Sequence, residues 1–320
     1  MGNTLTWEFD AETGVYKNRA LSGKLLKQSA QKFVFVQFTD KVDDFGKGKG
    51  ESVTIMHYKN PDTPANNGML DEHTRIPIDR LETGQVVIQI QEWGRGLEYT
   101  SLLKDLSEFD PKNMVQKGLL DQMNRCMDGA AAAAFKQGKI IYIPTSLTGG
   151  VLDTDGTPST IATQNMTKDH VGMISDYMVN DIHVPPFDDD MFVCLATTKA
   201  LRGLKNDRVL ESWHMYLNKG DVLYKREAGK VDQVRFAEVN HENALSNSIG
   251  SGGVTGEAVF FGDEAVSRAE VEFPHLRANP NYQGDFGRTK AVAWYGIVAF
   301  GPTWQTANDR EAKMIRWGSA

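Results

Sequence analysis

The sequence holds only 2 cysteines in 320 residues, Cys126 and Cys194, and each sits in an apolar run, Met123 to Met127 and Phe192 to Ala196. Two such thiols give no disulfide framework and suit a reducing compartment, where a free cysteine packs as a small hydrophobe. Long apolar runs are missing too: Ala291 to Phe300 is about half of the roughly 20 residues that cross a bilayer. The opening residues Met1 to Thr6 have no apolar core of a signal peptide, so the chain is expected to be neither exported nor membrane-spanning. Gly2 fits a myristoylation pattern in form, without a second membrane signal beside it. Nor is there an excess of positive charge. With 35 Lys and Arg against 42 Asp and Glu, the net charge of -7 argues against a general nucleic-acid coat, whose affinity comes from clustered cations. A container wall that touches packed DNA remains compatible with it.

Recognisable catalytic machinery is also lacking. None of the 7 histidines and 42 acidic residues shows the spacing of a nucleophile with its base, a metal cluster or a cofactor loop. The best metal candidate is His183 with Asp188, Asp189 and Asp190, but the intervening Val184-Pro185-Pro186-Phe187 reads as a loop leading into a strand. His241-Glu242-Asn243 lacks the second histidine of a zinc-protease helix and reads as a turn after Val239. Gly46-Lys47-Gly48-Lys49-Gly50 lacks the Gly-x4-Gly-Lys-Ser/Thr spacing of a phosphate loop and reads as a hinge. Gly94-Arg95-Gly96 reads as a bulge between strand and helix in preference to an anion site. Asn165-Met166-Thr167 matches a glycosylation acceptor that a non-secreted chain cannot use. No catalytic, cofactor-binding or metal-binding residue is assigned, and no cofactor is expected.

What is present is an ordinary globular balance, 40% hydrophobic and 24% charged. Residues 1–50 mix Trp7, Phe9 and Tyr16 with a helical pattern from Leu21 to Phe35, an arm that ends at the glycine hinge. Two period-two segments follow, Val53 to Tyr58 and Gln85 to Gln91, which read as paired antiparallel strands. Asn60 to Gly68 between them is rich in turn residues and belongs to a connection far longer than a tight hairpin turn. At about 3.3 Å per residue such a hairpin projects several tens of Å, further than its own globule can cover. A partner has to cover it.

Asp110-Pro111 then opens a helix, with Asp as N-cap and Pro at the first helical position. Val115, Leu119, Met123, Cys126, Ala130 and Ala134 mark one face, and Gly138 stops a helix that runs to Gln137, about 40 Å at 1.5 Å per residue. A loop from Thr145 to Thr160 leads to a helix capped by Thr167 with Val171, Ile174 and Met178 on one side. After Pro185-Pro186 come a buried strand Met191 to Ala196, a short helix near Lys199 to Leu204 and an alternating strand Val234 to Val239, together an α/β layer. Beyond a linker from Ser246 to Gly253 lie strands at Ala258 to Phe261, Val271 to Phe273 and Lys290 to Phe300.

Four stretches carry a resemblance: Gln85 to Thr100 (QVVIQIQEWGRGLEYT) running into a Leu102 to Phe135 helix, Val184 to Leu195 (VPPFDDDMFVCL), Gly229 to Val239 (GKVDQVRFAEV) and Arg288 to Gly301 (RTKAVAWYGIVAFG). In order and spacing they are similar to the major capsid proteins of N-four-like tailed bacteriophages, and the element order resembles the Hong Kong-type, or Johnson, capsid fold. The resemblance implies an α+β fold with an N-terminal arm at 1–45, an extended loop at 46–84 and a peripheral domain at 85–166 with spine helix 111–137. It further implies an axial domain at 167–266 and peripheral return strands at 267–320. The function implied is that of a coat protein that self-assembles into pentamers and hexamers and closes an icosahedral head around double-stranded DNA. Its partners would be copies of itself, scaffolding and portal proteins, and packaged DNA touched non-specifically on the inner face, with no membrane. Its place would be the virion, after assembly in the host cytoplasm, with shell expansion as DNA enters. No N-terminal scaffolding extension is expected, and the resemblance does not imply a lysine–asparagine crosslink either way. The competing readings are a hydrolase or lyase with an unrecognised site, and a virion decoration or binding protein.

Overall fold

The computed structural model describes residues 34–42, 46–48, 50–59, 61, 64–73, 75–106, 111–187, 190–206, 227–241, 244–246, 256–278, 288–304 and 312–318. Most of the expected arm, the Asp110 cap, Asp188, Asp189, Glu242, Asn243 and most of the 246–253 linker lie outside these residues. Among the described residues, no helix is long and apolar enough to cross a membrane.

The path begins with a 3-10 turn at Phe35–Phe38 and a short strand β1, Asp40–Lys41. Strands β2 (Ser52–Tyr58) and β3 (Thr83–Gln89) form the expected antiparallel pair, with Val53 opposite Ile88 and Ile55 opposite Val86. After one residue the chain continues as β4 (Gln91–Thr100), followed by helices α1 (Ser101–Leu106) and α2 (Pro111–Phe135). Both stretches fall within the Leu102 to Phe135 helix implied by the resemblance, and residues 107–110 between them lie outside the described residues. Next come β5 (Ile140–Ser146), β6 (Gly149–Asp153) and α3 (Lys168–Asp176), which runs on into one π-helical turn at Tyr177–Asp181. Then follow β7 (Phe192–Thr197), α4 (Arg202–Lys205), β8 (Glu227–Val231) and β9 (Val234–Val239). Strands β10 (Ala258–Phe261), β11 (Val266–Ala278), β12 (Thr289–Pro302) and β13 (Met314–Trp317) complete the chain.

These strands build a four-stranded sheet in the order β1-β11-β12-β4, a seven-stranded sheet in the order β6-β5-β13-β10-β7-β9-β8, and the separate β2-β3 ribbon. Helix α2 joins the two larger sheets. Its first half lays Leu119, Met123 and Met127 on Tyr99, Val292 and Trp294 of the four-stranded sheet. Its alanine-rich second half lays Ala131, Ala132, Ala134 and Phe135 on Val193, Leu195, Ala237, Val259, Phe261 and Met314 of the seven-stranded sheet. Alanine favours the helix here and its small side chain lets the sheet approach closely. Gly138 sits just past the helix because a Cβ there would lie 2.6 Å from Met314 Cγ of β13.

The other face of the seven-stranded sheet, including Tyr142, Cys194, Phe236, Phe260 and Ile315, is covered by Met166, Val171, Ile174 and Met178 of the α3 segment. The expected Thr167 cap is present as a capping box in which histidine takes the place usual for glutamate. His170 Nδ1 accepts from the Thr167 N–H at 3.2 Å while its Nε2 lies 2.8 Å from the Ser146 carbonyl, a pairing that assigns the proton to Nε2. Strand β7 is buried along its whole length. Strand β9, read in the sequence as alternating, is a neighbour parallel to β7 and is buried on both faces, so its residues pack to both sides.

Further expectations need correction. The Thr145 to Thr160 stretch is partly a hairpin, β5 paired antiparallel with β6, and its Gly150 is needed because a Cβ there would meet the Ile143 carbonyl at 2.5 Å. Gly94-Arg95-Gly96 is not a bulge: β4 pairs through it with β12 without a register shift. A Cβ on Gly94 would come within 3.0 Å of the Trp294 carbonyl, so the glycine serves close strand approach. The short strand expected at Val271 to Phe273 is the middle of β11, whose register against β12 shifts on both sides of Glu272. The short helix lies at Arg202–Lys205, slightly later than expected. Strands Ile140–Ser146, Gly149–Asp153 and Met314–Trp317 belong to the seven-stranded sheet.

Phe135 is fully buried, 4.7 Å from the Phe261 ring and 5.6 Å from the Phe35 ring. Phe135→Ala is expected to lower unfolding free energy by about 3–5 kcal/mol, to be measured by denaturant titration. A cost under about 1 kcal/mol would mean that the helix end and the seven-stranded sheet do not share one core.

Candidate interaction surface

Of the residues first considered for chemistry, Asp188, Asp189, Glu242 and Asn243 lie outside the described residues. His183 Nδ1 bonds the Val179 carbonyl at 2.9 Å within its own turn. Among the described residues, no group of three or more His, Cys, Asp or Glu side chains is arranged to hold a metal. Both cysteines are free thiols, and burial pushes the Cys194 thiol well above its ordinary value, which makes it a poor nucleophile.

The feature that stands out is the β2-β3 ribbon and the connection between its strands. One face is fixed to the body: Val53, Val86 and Ile88 are buried, with Val86 and Ile88 packed on Ala299 of β12. Gly301 is required there, since a Cβ would lie 2.8 Å from Ile88 Cγ1. Further out the His57 ring lies 3.9 Å from the Trp304 ring, and burial holds its imidazole below the ordinary value. Gly84 stands across the ribbon from His57, where a Cβ would meet Nε2 at 2.4 Å. The opposite face and the connection mix polar residues with apolar side chains that are open to solvent: Met56, Tyr58 and Val87, then Met69, Leu70, Ile76, Ile78 and Leu81. Met69 is 83% exposed and Ile78 79%. Ion pairing holds the projecting part weakly, the Lys59–Glu82 pair being 3.5 Å apart and exposed on both sides. Solvent-facing apolar side chains concentrated on one projecting element mark an interaction site, since each contributes favourably only once a partner covers it.

The other anchored element is the place where the N-terminal segment joins the body. Phe35 and Phe38 insert into the core beneath α2, with Phe38 5.4 Å from both Phe187 and Phe261. The fully buried Asp128 of α2 receives the adjoining backbone: its Oδ1 accepts from the N–H of Phe35 at 2.7 Å, Val34 at 3.0 Å and Val36 at 3.4 Å. Its Oδ2 faces His241 Nδ1, past the end of β9, at 3.6 Å. Burial raises the Asp128 carboxyl to about 6, and the three N–H donors pull the other way. Sequence reasoning passed over Asp128. The available signal was a lone acid between Met127 and the alanine run, on a helix whose neighbouring positions are apolar.

No family model matches the sequence, and none of the curated proteins matches it. Solved structures do match, over nearly the whole chain. The cyanophage Pam1 capsid subunit aligns with a TM-score of 0.67 at 16% identity, covering 96% of this chain and 98% of that one. The capsid of Ralstonia phage GP4 gives 0.67 at 14% identity over 95% and 96%. The capsid of the Helicobacter pylori bacteriophage KHP30 gives 0.66 at 12% identity over 96% of each. The α+β fold of this chain is the fold of these phage capsid subunits.

The ribbon is held to the body by few buried side chains, so Ile88→Ala should release it locally, at a cost of about 2–5 kcal/mol. Hydrogen exchange is expected to lose protection across Ser52–Tyr58 and Thr83–Gln89 while Phe192–Thr197 keeps its own. Loss of protection in all three together would show that the ribbon is not a separate unit.

Proposed function

We propose that this chain is the major capsid protein of a tailed bacteriophage, a structural subunit and not an enzyme, which self-assembles into pentamers and hexamers that close an icosahedral head around double-stranded DNA. One observation carries the reading: a ribbon with an exposed apolar face projects from a body that cannot cover it, in a chain whose fold matches phage capsid subunits end to end. A neighbouring copy is the partner that fits, because an apolar ribbon covered by the next subunit, whose ribbon is covered in turn, is a heterologous contact that propagates around a ring. Interfaces of about 800 Å² per side then add up through repetition.

On this reading residues 1–45 are the arm, 46–84 the extended loop, 85–166 and 267–320 the peripheral domain with α2 as spine, and 167–266 the axial domain. The sheet order supports moving Ile140–Asp153 and Met314–Trp317 into the axial unit, since both pair within the seven-stranded sheet. The four sequence stretches that resemble N-four-like phages support that group in particular. Scaffolding and portal proteins and packaged DNA are the further partners of such a shell, which is built in the host cytoplasm and ends as the virion wall. The net charge of -7 keeps dilute subunits apart before assembly.

Negative-stain microscopy with sedimentation of the purified chain, expressed with and without its neighbouring phage genes, should show closed shells or sheets of hexamers. A compact monomer at high concentration under every condition would overturn the reading. Ile78→Glu and Met56→Glu, at exposed positions of the loop and ribbon, should abolish assembly while leaving the subunit's unfolding free energy within about 0.5 kcal/mol of the parent.

A further inference from the structure

We infer that Asp128 is the positioning residue that fixes where the N-terminal segment joins the subunit, and that the strength of this hold depends on the charge state of its carboxylate. Three consecutive N–H groups, of Val34, Phe35 and Val36, converge on one carboxylate oxygen contributed by a residue more than ninety positions away. This is the geometry of a helix N-cap supplied from another element: the 3-10 turn at Phe35–Phe38 has no side-chain cap from its own Val34, and Asp128 performs that task. The apolar plugs Phe35 and Phe38 supply burial but no direction, whereas three aligned donors select a single backbone register.

The same carboxylate touches a third element. Its Oδ2 is buried, has no hydrogen-bond donor among the described residues, and faces His241 Nδ1. Spine helix, arm segment and the end of β9 therefore meet at one titratable group. The charged and titratable groups around it are few: the 3-10 turn at Phe35–Phe38 carries none, and the segment following β9 presents His241.

The direction of the pH effect follows from the burial. With the segment docked, the carboxyl titrates near 6, above its ordinary 3.8. If Val34–Val36 leave, water reaches the carboxylate and its affinity for the proton falls back. The docked form thus binds the proton more tightly, docking is firmest in acid, and it weakens as pH rises toward about 6. Above about pH 6 the hold stays constant at its weaker level, with the segment retained by charged hydrogen bonds and its two phenylalanines. The inference concerns the single subunit and stands whether or not the chain assembles into a shell.

The test is hydrogen exchange resolved to single amides on the full-length chain at pH 5 and pH 7.5, each amide referred to its intrinsic rate. In the parent protein, protection of the Val34, Phe35 and Val36 amides should fall measurably from pH 5 to pH 7.5, across the docked titration near 6. Asp128→Asn keeps an acceptor oxygen without a charge, so the three amides should stay protected and lose that pH dependence. Amides of Phe192–Thr197 should not change with pH in either protein. Asp128→Ala should expose the three amides at both pH values; if that variant is too unstable to purify, parent and Asp128→Asn still decide the matter. Equal protection at both pH values in the parent overturns the inference. So does an unchanged pH dependence in Asp128→Asn, which would assign the titration to His241.

Discussion

Everything in this subunit depends on one helix packing against two sheets at once. Helix α2 is about 38 Å long at 1.5 Å per residue, and its two halves are chemically different because its two neighbours are. Toward the four-stranded sheet it offers Leu119, Met123 and Met127, which fill the space above Tyr99, Val292 and Trp294. Toward the seven-stranded sheet it offers a run of alanines ended by Phe135, which lets that sheet come close and then fills the remaining volume with one ring. Two sheets without this helix would each bury one face only, and the four-stranded sheet would have too little apolar surface to stand alone. Asp128 lies at the change from one half to the other, which is why a single buried carboxylate can reach the arm segment on one side and His241 on the other.

Because the core is closed by α2 and α3, the β2-β3 ribbon is left with one covered face. Val53, Val86, Ile88 and the His57–Trp304 contact fix its root, and glycines at 84 and 301 permit that close seating. Beyond the root the apolar side chains are left exposed by the described residues. A two-stranded ribbon is marginal alone in water, so its persistence depends on what lies across it.

How much of this was legible in the sequence varied with the kind of interaction. Segments fixed by local rules were read correctly: the alternation of Val53, Ile55 and Val86, Ile88 gave the ribbon and its pairing, Pro111 gave the start of α2, and Thr167 gave the cap of α3. Elements fixed by distant partners were not. Strand β13 is only Met314–Trp317, too short to display a period, and it is a strand because β10 and β5 flank it. The β5-β6 hairpin was hidden by Gly149 and Gly150, poor strand formers, of which Gly150 is used here because Tyr142 and Ile143 leave no room for a side chain. The parallel pairing of β7 with β9 buries both faces of β9, which removes the alternation expected of a half-exposed strand. Asp128 was passed over because its partners are backbone N–H groups some ninety residues back in the chain, and the only local sign was a lone acid among apolar helix positions.

The same distinction explains how a chain can share a fold over about 96% of its length with capsid subunits to which it is only 12% to 16% identical. What the architecture demands is a helix with a bulky half and a slim half, a sheet buried on both faces, glycine where strands and ribbon touch, and a ribbon long enough to leave the body. Many residue combinations meet those demands, because hydrophobic burial is tolerant of identity when volume and pattern are kept. Chemistry that requires a nucleophile and a base at fixed spacing has no such tolerance and leaves a motif. A fold specified by burial and strand geometry is recognised by the shape its sequence folds into and by the surface that this shape leaves exposed.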